Sequence, residues 1–405
     1  MRILLLLTTS FPCGKGEEFL SAELEQARGF DRILVCPCGA GAGGAPTRTL
    51  PSGVKYVPLP AVESGRAAYL RVGARPCVFG EVFRLLCARR LTGGRLHELL
   101  FFMKNADRIF RGLRRLPLPA ADEVVIYSYW FYDAAAAGAL FARFLRRKGA
   151  AVRQISRAHG FDIHPERAKY GYLPMRPFLF RRVGRVYACS QDGARTLRAE
   201  FPQDAAKIKT AYLGTRDCGP GRCAREPFHV VSCSYMVPVK RLHLIAQALR
   251  QADFPVLWTH LGSGPEEGRV RALAERFPPH VRAEFLGQRR NEEILGYYKK
   301  TPVSVFLNVS ASEGISVSMM EACSFGFPIL ATGVGGTGEI VSDGANGFLL
   351  PADFTPRMFL DALRRIRLMK EEEYRSLCAR SRGIWEEKFN AAKNYERFYG
   401  EISSL

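Results

Sequence analysis

Two carboxylates eight positions apart, Glu313 and Glu321, bracket a turn whose backbone is suited to an anion. An apolar run at residues 303–309 predicts a buried parallel strand, Gly314 turns the chain, and helical spacing follows. The first N–H groups of a helix lack an internal acceptor and carry partial positive charge. Gly314, Ile315, Ser316 and Val317 would therefore aim donors at a phosphate, with Glu313 in the turn and Glu321 about one turn into the helix. Lys240 and Arg241 stand where another helix is predicted to begin, after a buried run at residues 228–233. A helix start prefers acidic residues, so two cations there suit a diphosphate whose charge grows as it leaves. His159, beside Gly160, follows the apolar run 152–156, at the end of a strand where parallel sheets present active groups. Asp162 and His164 come next, and either could reach a second substrate.

These groups need elements to hold them, and the chain supplies alternating apolar runs and helical stretches. Residues 3–7 predict a first strand; Gly14 and Gly16 then lie in a turn that either merely connects or cradles a phosphate before a helix begins near Phe19. Further strands are expected at 33–36, 54–57, 124–127, 185–190, 256–261, 283–286 and 329–331. Gly262 and Gly264 open another glycine turn, and Gln288 lies in a loop after the run 283–286. Ser128 to Asp133 places aromatics at a strand end, where they either line a sugar or lipid site or pack under the next helix. Residues 99–116 alternate aromatic, aliphatic and arginine side chains, which fits a core-facing amphipathic helix or one docked on an anionic membrane.

A chain of 405 residues with 47% apolar and 24% charged residues suits two α/β domains. The net charge is +20, and it is concentrated early: residues 1–215 hold 34 Lys and Arg against 17 Asp and Glu. Such a field attracts polyanions, anionic lipid or phosphate-bearing substrates. No zinc-finger spacing, RNA-recognition motif or basic tail favours nucleic acid. Eleven scattered cysteines argue against a disulfide framework or a zinc site and suit a reduced, cytoplasmic chain. The apolar run at 3–7 is too short for a signal peptide or a membrane span.

Glu313 and Glu321, then Gly326-Phe327-Pro328, then Gly335-Gly336-Thr337-Gly338-Glu339 together resemble the signature of the retaining nucleotide-sugar glycosyltransferases of family 4. The resemblance implies the GT-B fold: two facing Rossmann-like domains with a deep cleft and a C-terminal helix crossing back to the first. It places an acceptor-binding domain at 1–215, a hinge at Arg216 to Arg222, a nucleotide-sugar domain at 216–385 and the crossing helix at 386–405. It implies transfer of a sugar, with retained configuration, from a nucleotide diphosphate sugar, UDP favoured over GDP, to a hydroxyl. The acceptor would be a glycan or lipid-linked glycan of surface polysaccharide biosynthesis, met at the cytoplasmic face of a membrane. By the same resemblance Lys240, Arg241 and the N–H groups after Glu313 would stabilise the leaving diphosphate. Glu321 would hold the ribose, Glu313 the donor sugar's hydroxyls, and His159 would meet that sugar from the first domain. Gly14, Gly16, Gly262, Gly264 and Gln288 would border the nucleotide, and no metal is expected. The family usually carries an arginine five residues before the lysine, where this chain has Tyr235. A silent nucleotide-sugar-binding module and a nucleotide-sugar epimerase are the competing classes.

Overall fold

The computed structural model describes residues 1–14, 16–39, 44–62, 65, 67–119 and 121–405. Lys15, in the loop with Gly14 and Gly16, lies outside the described residues. The chain divides into two compact units, Met1–Ala211 with Tyr395–Leu405, and Tyr212–Asn394.

The first unit is built on seven strands: β1 (Arg2–Thr8), β2 (Arg32–Pro37), β3 (Val54–Tyr56), β4 (Glu123–Ser128), β5 (Ala151–Ala158), β6 (Arg185–Ala188) and β7 (Ile208–Thr210). They form one parallel sheet in the order β3-β2-β1-β4-β5-β6-β7. Ile3 to Leu7 are all fully buried, because a parallel sheet with helices on both faces has no wet side. The helix Gly93–Leu113 turns Leu99, Phe102, Met103, Ala106, Ile109 and Leu113 inward, so of the two expectations for residues 99–116 the core-facing one describes it. Within this unit Phe398, on the last helix, packs on Tyr127 and Tyr187, and Glu401 accepts from Tyr187 Oη and Lys209 Nζ.

In the second unit β9 (His229–Cys233), β10 (Val256–Leu261), β11 (Val281–Phe285), β13 (Val305–Asn308), β14 (Ile329–Thr332) and β15 (Gly347–Leu350) form a parallel sheet ordered β11-β10-β9-β13-β14-β15. The apolar run expected as one strand at 303–309 is interrupted. Pro302–Val303 (β12) pairs instead with Arg222–Cys223 (β8), and Ser304, between the two strands, donates its hydroxyl to Ala224 O. The expected hinge is fastened within this unit: Asp217 holds Arg382 at 2.7 Å, and Gly221 N donates to Phe325 O.

The crossing helix expected at 386–405 falls in two helices, Glu371–Lys388 and Ala391–Ser403. The break has a local cause. Thr215 N donates to Phe389 O and Ala391 N to Thr215 O, and the missing Cβ of Gly214 would lie 2.4 Å from Ala391 Cα. Among the described residues no helix is long and apolar enough to cross a membrane.

Two consequences for stability are measurable. Gly347 has φ +157°, and a Cβ there would stand 1.9 Å from Ile329 O, so Gly347→Ala is expected to cost more than ~3 kcal/mol in urea unfolding. His159 and His260 are buried, and burial pushes each imidazole down to about 4. The unfolded chain takes up those protons near the ordinary value and the folded one does not. Stability is therefore full above the ordinary histidine range and falls as pH drops toward 4, by roughly 3 kcal/mol per histidine. Urea titrations between neutral pH and pH 4 are expected to show this slope, and His260→Gln to flatten part of it.

Candidate active site

The order of the second sheet reverses between β9 and β13, and the crevice at such a reversal is where open α/β sheets bind ligands. Lys240 comes from the loop after β9 and Glu313 from the loop after β13, and Nζ meets Oε1 at 2.6 Å. The same carboxylate oxygen accepts from Ser310 Oγ at 2.6 Å and Asn308 Nδ2 at 3.2 Å. Glu313 is 8% exposed. Burial alone would push its carboxyl up, but the Lys240 ammonium and the Ser310 and Asn308 donors outweigh it and hold the group below its ordinary value, ionised. Ala311 N also donates to Val239 O, which ties the two loops together.

Asn308, the last residue of β13, bonds Ser316 Oγ at 3.1 Å, and Ser316 caps the helix Val317–Ser324 by accepting from Met319 N. The helix thus opens later than expected. Gly314 and Ile315 form the turn ahead of it, Ser316 is the cap, and Val317 and Ser318 bring the first N–H groups without an intrahelical acceptor. Gly314 O accepts from Gly336 N, joining this turn to the glycine-rich one. Glu321 is buried in the same helix and accepts from Asn291 Nδ2 at 2.6 Å. Burial and the Glu321 charge push the Cys233 thiol up to about 12, so it is no nucleophile at neutral pH.

Arg241 differs from its expected diphosphate contact. It has a left-handed φ of +51°, which separates it from Lys240, and its guanidinium donates to Val309 O at 2.8 Å, Ser310 O at 3.2 Å and Ala352 O at 2.6 Å. It braces the loop that carries Glu313. Gly262 and Gly264 also serve the scaffold. A Cβ on Gly262 would lie 1.9 Å from Ser234 O, and one on Gly264 2.5 Å from Met236 O, so side chains there would push the loops after β9 and β10 apart. Gln288 is exposed just past Gly287, whose carbonyl accepts from Gly262 N, and Tyr235 is 58% exposed.

The first unit gathers its own residues at the carboxyl ends of β1, β4 and β5. His159 Nε2 donates to Tyr129 O at 3.0 Å, which leaves Nδ1 the acceptor of a neutral ring. Tyr129 and Trp130 each approach that ring to 4.6 Å, and Trp130 packs on Phe161. Asp162 is not available to a substrate: it is fully buried and accepts from the N–H groups of Phe131, His159 and Gly160. His164 is mostly buried, with Nδ1 3.2 Å from Glu166.

The loop with Gly14 and Gly16 has an internal anion that the sequence did not signal. Glu17 accepts from the N–H groups of Thr9, Ser10 and Phe11 at 2.9 Å each and from Trp130 Nε1 at 2.8 Å. Its carboxylate fills a nest of N–H groups at Thr9 to Phe11, ahead of the glycine turn, while the Gly14 and Gly16 carbonyls accept from Arg48. Asn308, Ser310 and Asn291 were equally silent, because none shows its partner until the sheet is assembled.

Known proteins resemble this chain in sequence and in fold. The family described as Glycosyl transferases group 1 matches residues 223–382. A protein of Escherichia coli (strain K12) named as the colanic acid biosynthesis glycosyltransferase WcaL is 27% identical over 57% of this chain and 59% of its own. The N-acetyl-alpha-D-glucosaminyl L-malate synthase of Bacillus anthracis is 27% identical over 51% of each chain. The chain therefore spans between half and three-fifths of the length of these relatives. HepE of Anabaena, solved in complex with UDP and glucose, superposes over the whole of both chains with a TM-score of 0.66 and 18% identity. The apo lipopolysaccharide outer core galactosyltransferase WaaB does so with a TM-score of 0.68 and 14% identity. Residues 223–382 thus match the family described as Glycosyl transferases group 1, within a chain that has the GT-B fold.

Proposed function

We propose that this chain is a retaining glycosyltransferase that moves a sugar from a nucleotide diphosphate sugar to a hydroxyl of a glycan or lipid-linked glycan in surface polysaccharide assembly. The observation that carries this reading is the ion pair of partly buried Lys240 with buried Glu313 at the sheet reversal of the second unit, beside Val317 and Ser318 at the start of the capped helix. A diphosphate there meets one full cation and the positive end of a helix, donors already in place for the charge that develops as it leaves. The HepE structure with UDP and glucose supports UDP as the nucleotide.

In this reading Glu313 holds hydroxyls of the donor sugar and orients Lys240, and Glu321 receives the ribose hydroxyls. Arg241, Gly262 and Gly264 keep the loops in register. His159, neutral and hydrogen-bonded, contacts substrate without exchanging protons. The bond from the anomeric carbon to the diphosphate oxygen breaks as the acceptor oxygen bonds the same face. The departing phosphate oxygen takes the acceptor's proton, so no protein nucleophile is required. Lys240 and the helix N–H groups neutralise the leaving group without a metal, and the work is done at the cytoplasmic face of a membrane.

Lys240→Ala is expected to lower kcat/KM about 10²- to 10³-fold, and the rate of the wild-type protein to be unchanged by EDTA. UDP at about a hundred times its Kd should stabilise the folded protein by roughly 2.7 kcal/mol in thermal unfolding, and less in Lys240→Ala. Glu321→Ala should bind UDP and its 2′,3′-dideoxy analogue alike, whereas the wild type prefers UDP. A folded protein that no nucleoside diphosphate stabilises would exclude a functional donor site. A donor-bound protein that, without any acceptor, turns the sugar into its isomer, free or still nucleotide-linked, would instead be an epimerase.

A further inference from the structure

Another region of the first unit exposes large apolar side chains that its own fold does not use. The helix Pro76–Cys87 buries Val78, Glu81 and Leu85, and the opposite face carries Phe79, 62% exposed, Phe83, 68%, and Leu86, 54%. Their spacing of four and three residues lines them up in one stripe. The preceding helix, Ala67–Gly73, buries Ala68 and Val72 and leaves Leu70 80% exposed.

The surrounding charge is of one sign. Between Ala67 and Leu116 there are eleven Lys and Arg against Glu81, Glu98 and Asp107. Those three carboxylates are taken up internally. Glu81 is buried against Arg84 and Tyr172, Asp107 is buried among Arg71, Arg75 and Arg111, and Glu98 accepts from Tyr132 Oη. Arg89 and Arg90, exposed just past the apolar stripe, form no ion pair among the described residues.

We propose that the outer face of residues 67–90 docks on the surface of an anionic lipid bilayer, with Phe79, Phe83, Leu86 and Leu70 entering the acyl boundary and Arg89 and Arg90 meeting lipid phosphates. The four side chains expose roughly 500 Å² of largely apolar surface, the size of a functional patch on a monomer. A protein partner of standard size covers about 800 Å² on each side and is poor in charge at its centre. A narrow apolar stripe that ends beside the exposed Arg89 and Arg90 fits an interface that is oily below and negatively charged above. This surface is independent of the donor-site reading.

The test is co-sedimentation of the full chain with vesicles of phosphatidylcholine alone and of phosphatidylcholine with one quarter phosphatidylglycerol. The wild type is expected to partition at least about tenfold more strongly onto the mixed vesicles, and added salt to weaken that preference. F79S/F83S/L86S should lose about tenfold or more of the binding, and R89E/R90E should lose the preference for phosphatidylglycerol. Both variants should keep the wild-type melting temperature and UDP response, so that a failed donor site and a failed docking surface give different results. Equal partitioning of wild type and F79S/F83S/L86S would overturn the proposal. So would self-association that the triple variant abolishes without vesicle binding, which would make the stripe a contact between copies.

Discussion

The contact between Lys240 and Glu313 is the interaction on which the second unit's site depends. Withdrawing the Glu313 carboxylate from water is expensive, and Lys240 beside it stays partly exposed. Here the carboxylate recovers part of that cost from Ser310 and Asn308, and it holds the Lys240 ammonium at the sheet reversal. That is the arrangement expected where a cation must already stand when negative charge develops. Arg241 contributes by a different route. Its three bonds to carbonyls fix the segment from Val309 to Ser310, and through it the carboxylate that orients Lys240.

Both units obey one topological constraint. A parallel sheet sends every strand's carboxyl end to the same edge, and a reversal of strand order leaves two neighbouring loops diverging above it. In the second unit those loops bring Lys240 and Glu313. In the first, the loops after β1 and β4 bring Glu17 and Trp130, which bond each other, and His159 enters from β5 beside Trp130. The contents differ in sign. The second unit starts a helix at Val317, whose first N–H groups have no intrahelical acceptor, whereas the first has closed its β1 nest with Glu17. The first unit's edge is accordingly aromatic and neutral at His159, chemistry that suits stacking and hydrogen bonding more than phosphate capture.

The strands were legible because fully buried parallel strands are short, apolar and bounded by glycine or polar turns. Residues 256–261 are recovered with their bounds unchanged, and 329–331 gain only Thr332. The spacing of Glu313 and Glu321 was legible too, since both lie within one strand-turn-helix unit. What could not be read was anything fixed by partners distant in sequence. Asp162 looked reachable until it was seen to accept three backbone N–H groups, one of them from Phe131 on another loop. Arg241 looked like the equal of Lys240 until a left-handed φ turned it toward backbone carbonyls. The exposed apolar stripe was missed for a related reason. Residues 99–116 show the stronger aromatic and arginine pattern, yet that helix turns its apolar face to the core, and Phe79 and Phe83 lie exposed on a shorter one.

His159 shows how burial restricts chemistry that sequence alone leaves open. A histidine at a strand end invites a role as general acid or base, and such a role works best when its pKa lies near the operating pH. This ring is enclosed by Tyr129 and Trp130, and burial pushes it down to about 4 despite the nearby Asp162 carboxylate, which favours the protonated form. The carbonyl of Tyr129 can only accept, so Nε2 must carry the proton and Nδ1 must be a lone-pair acceptor. A group in that state receives a hydrogen bond from a hydroxyl and fixes its direction, but it is too weak a base to remove the hydroxyl's proton at neutral pH. In the proposed reaction that places proton removal elsewhere, on the departing phosphate, and leaves His159 to orient.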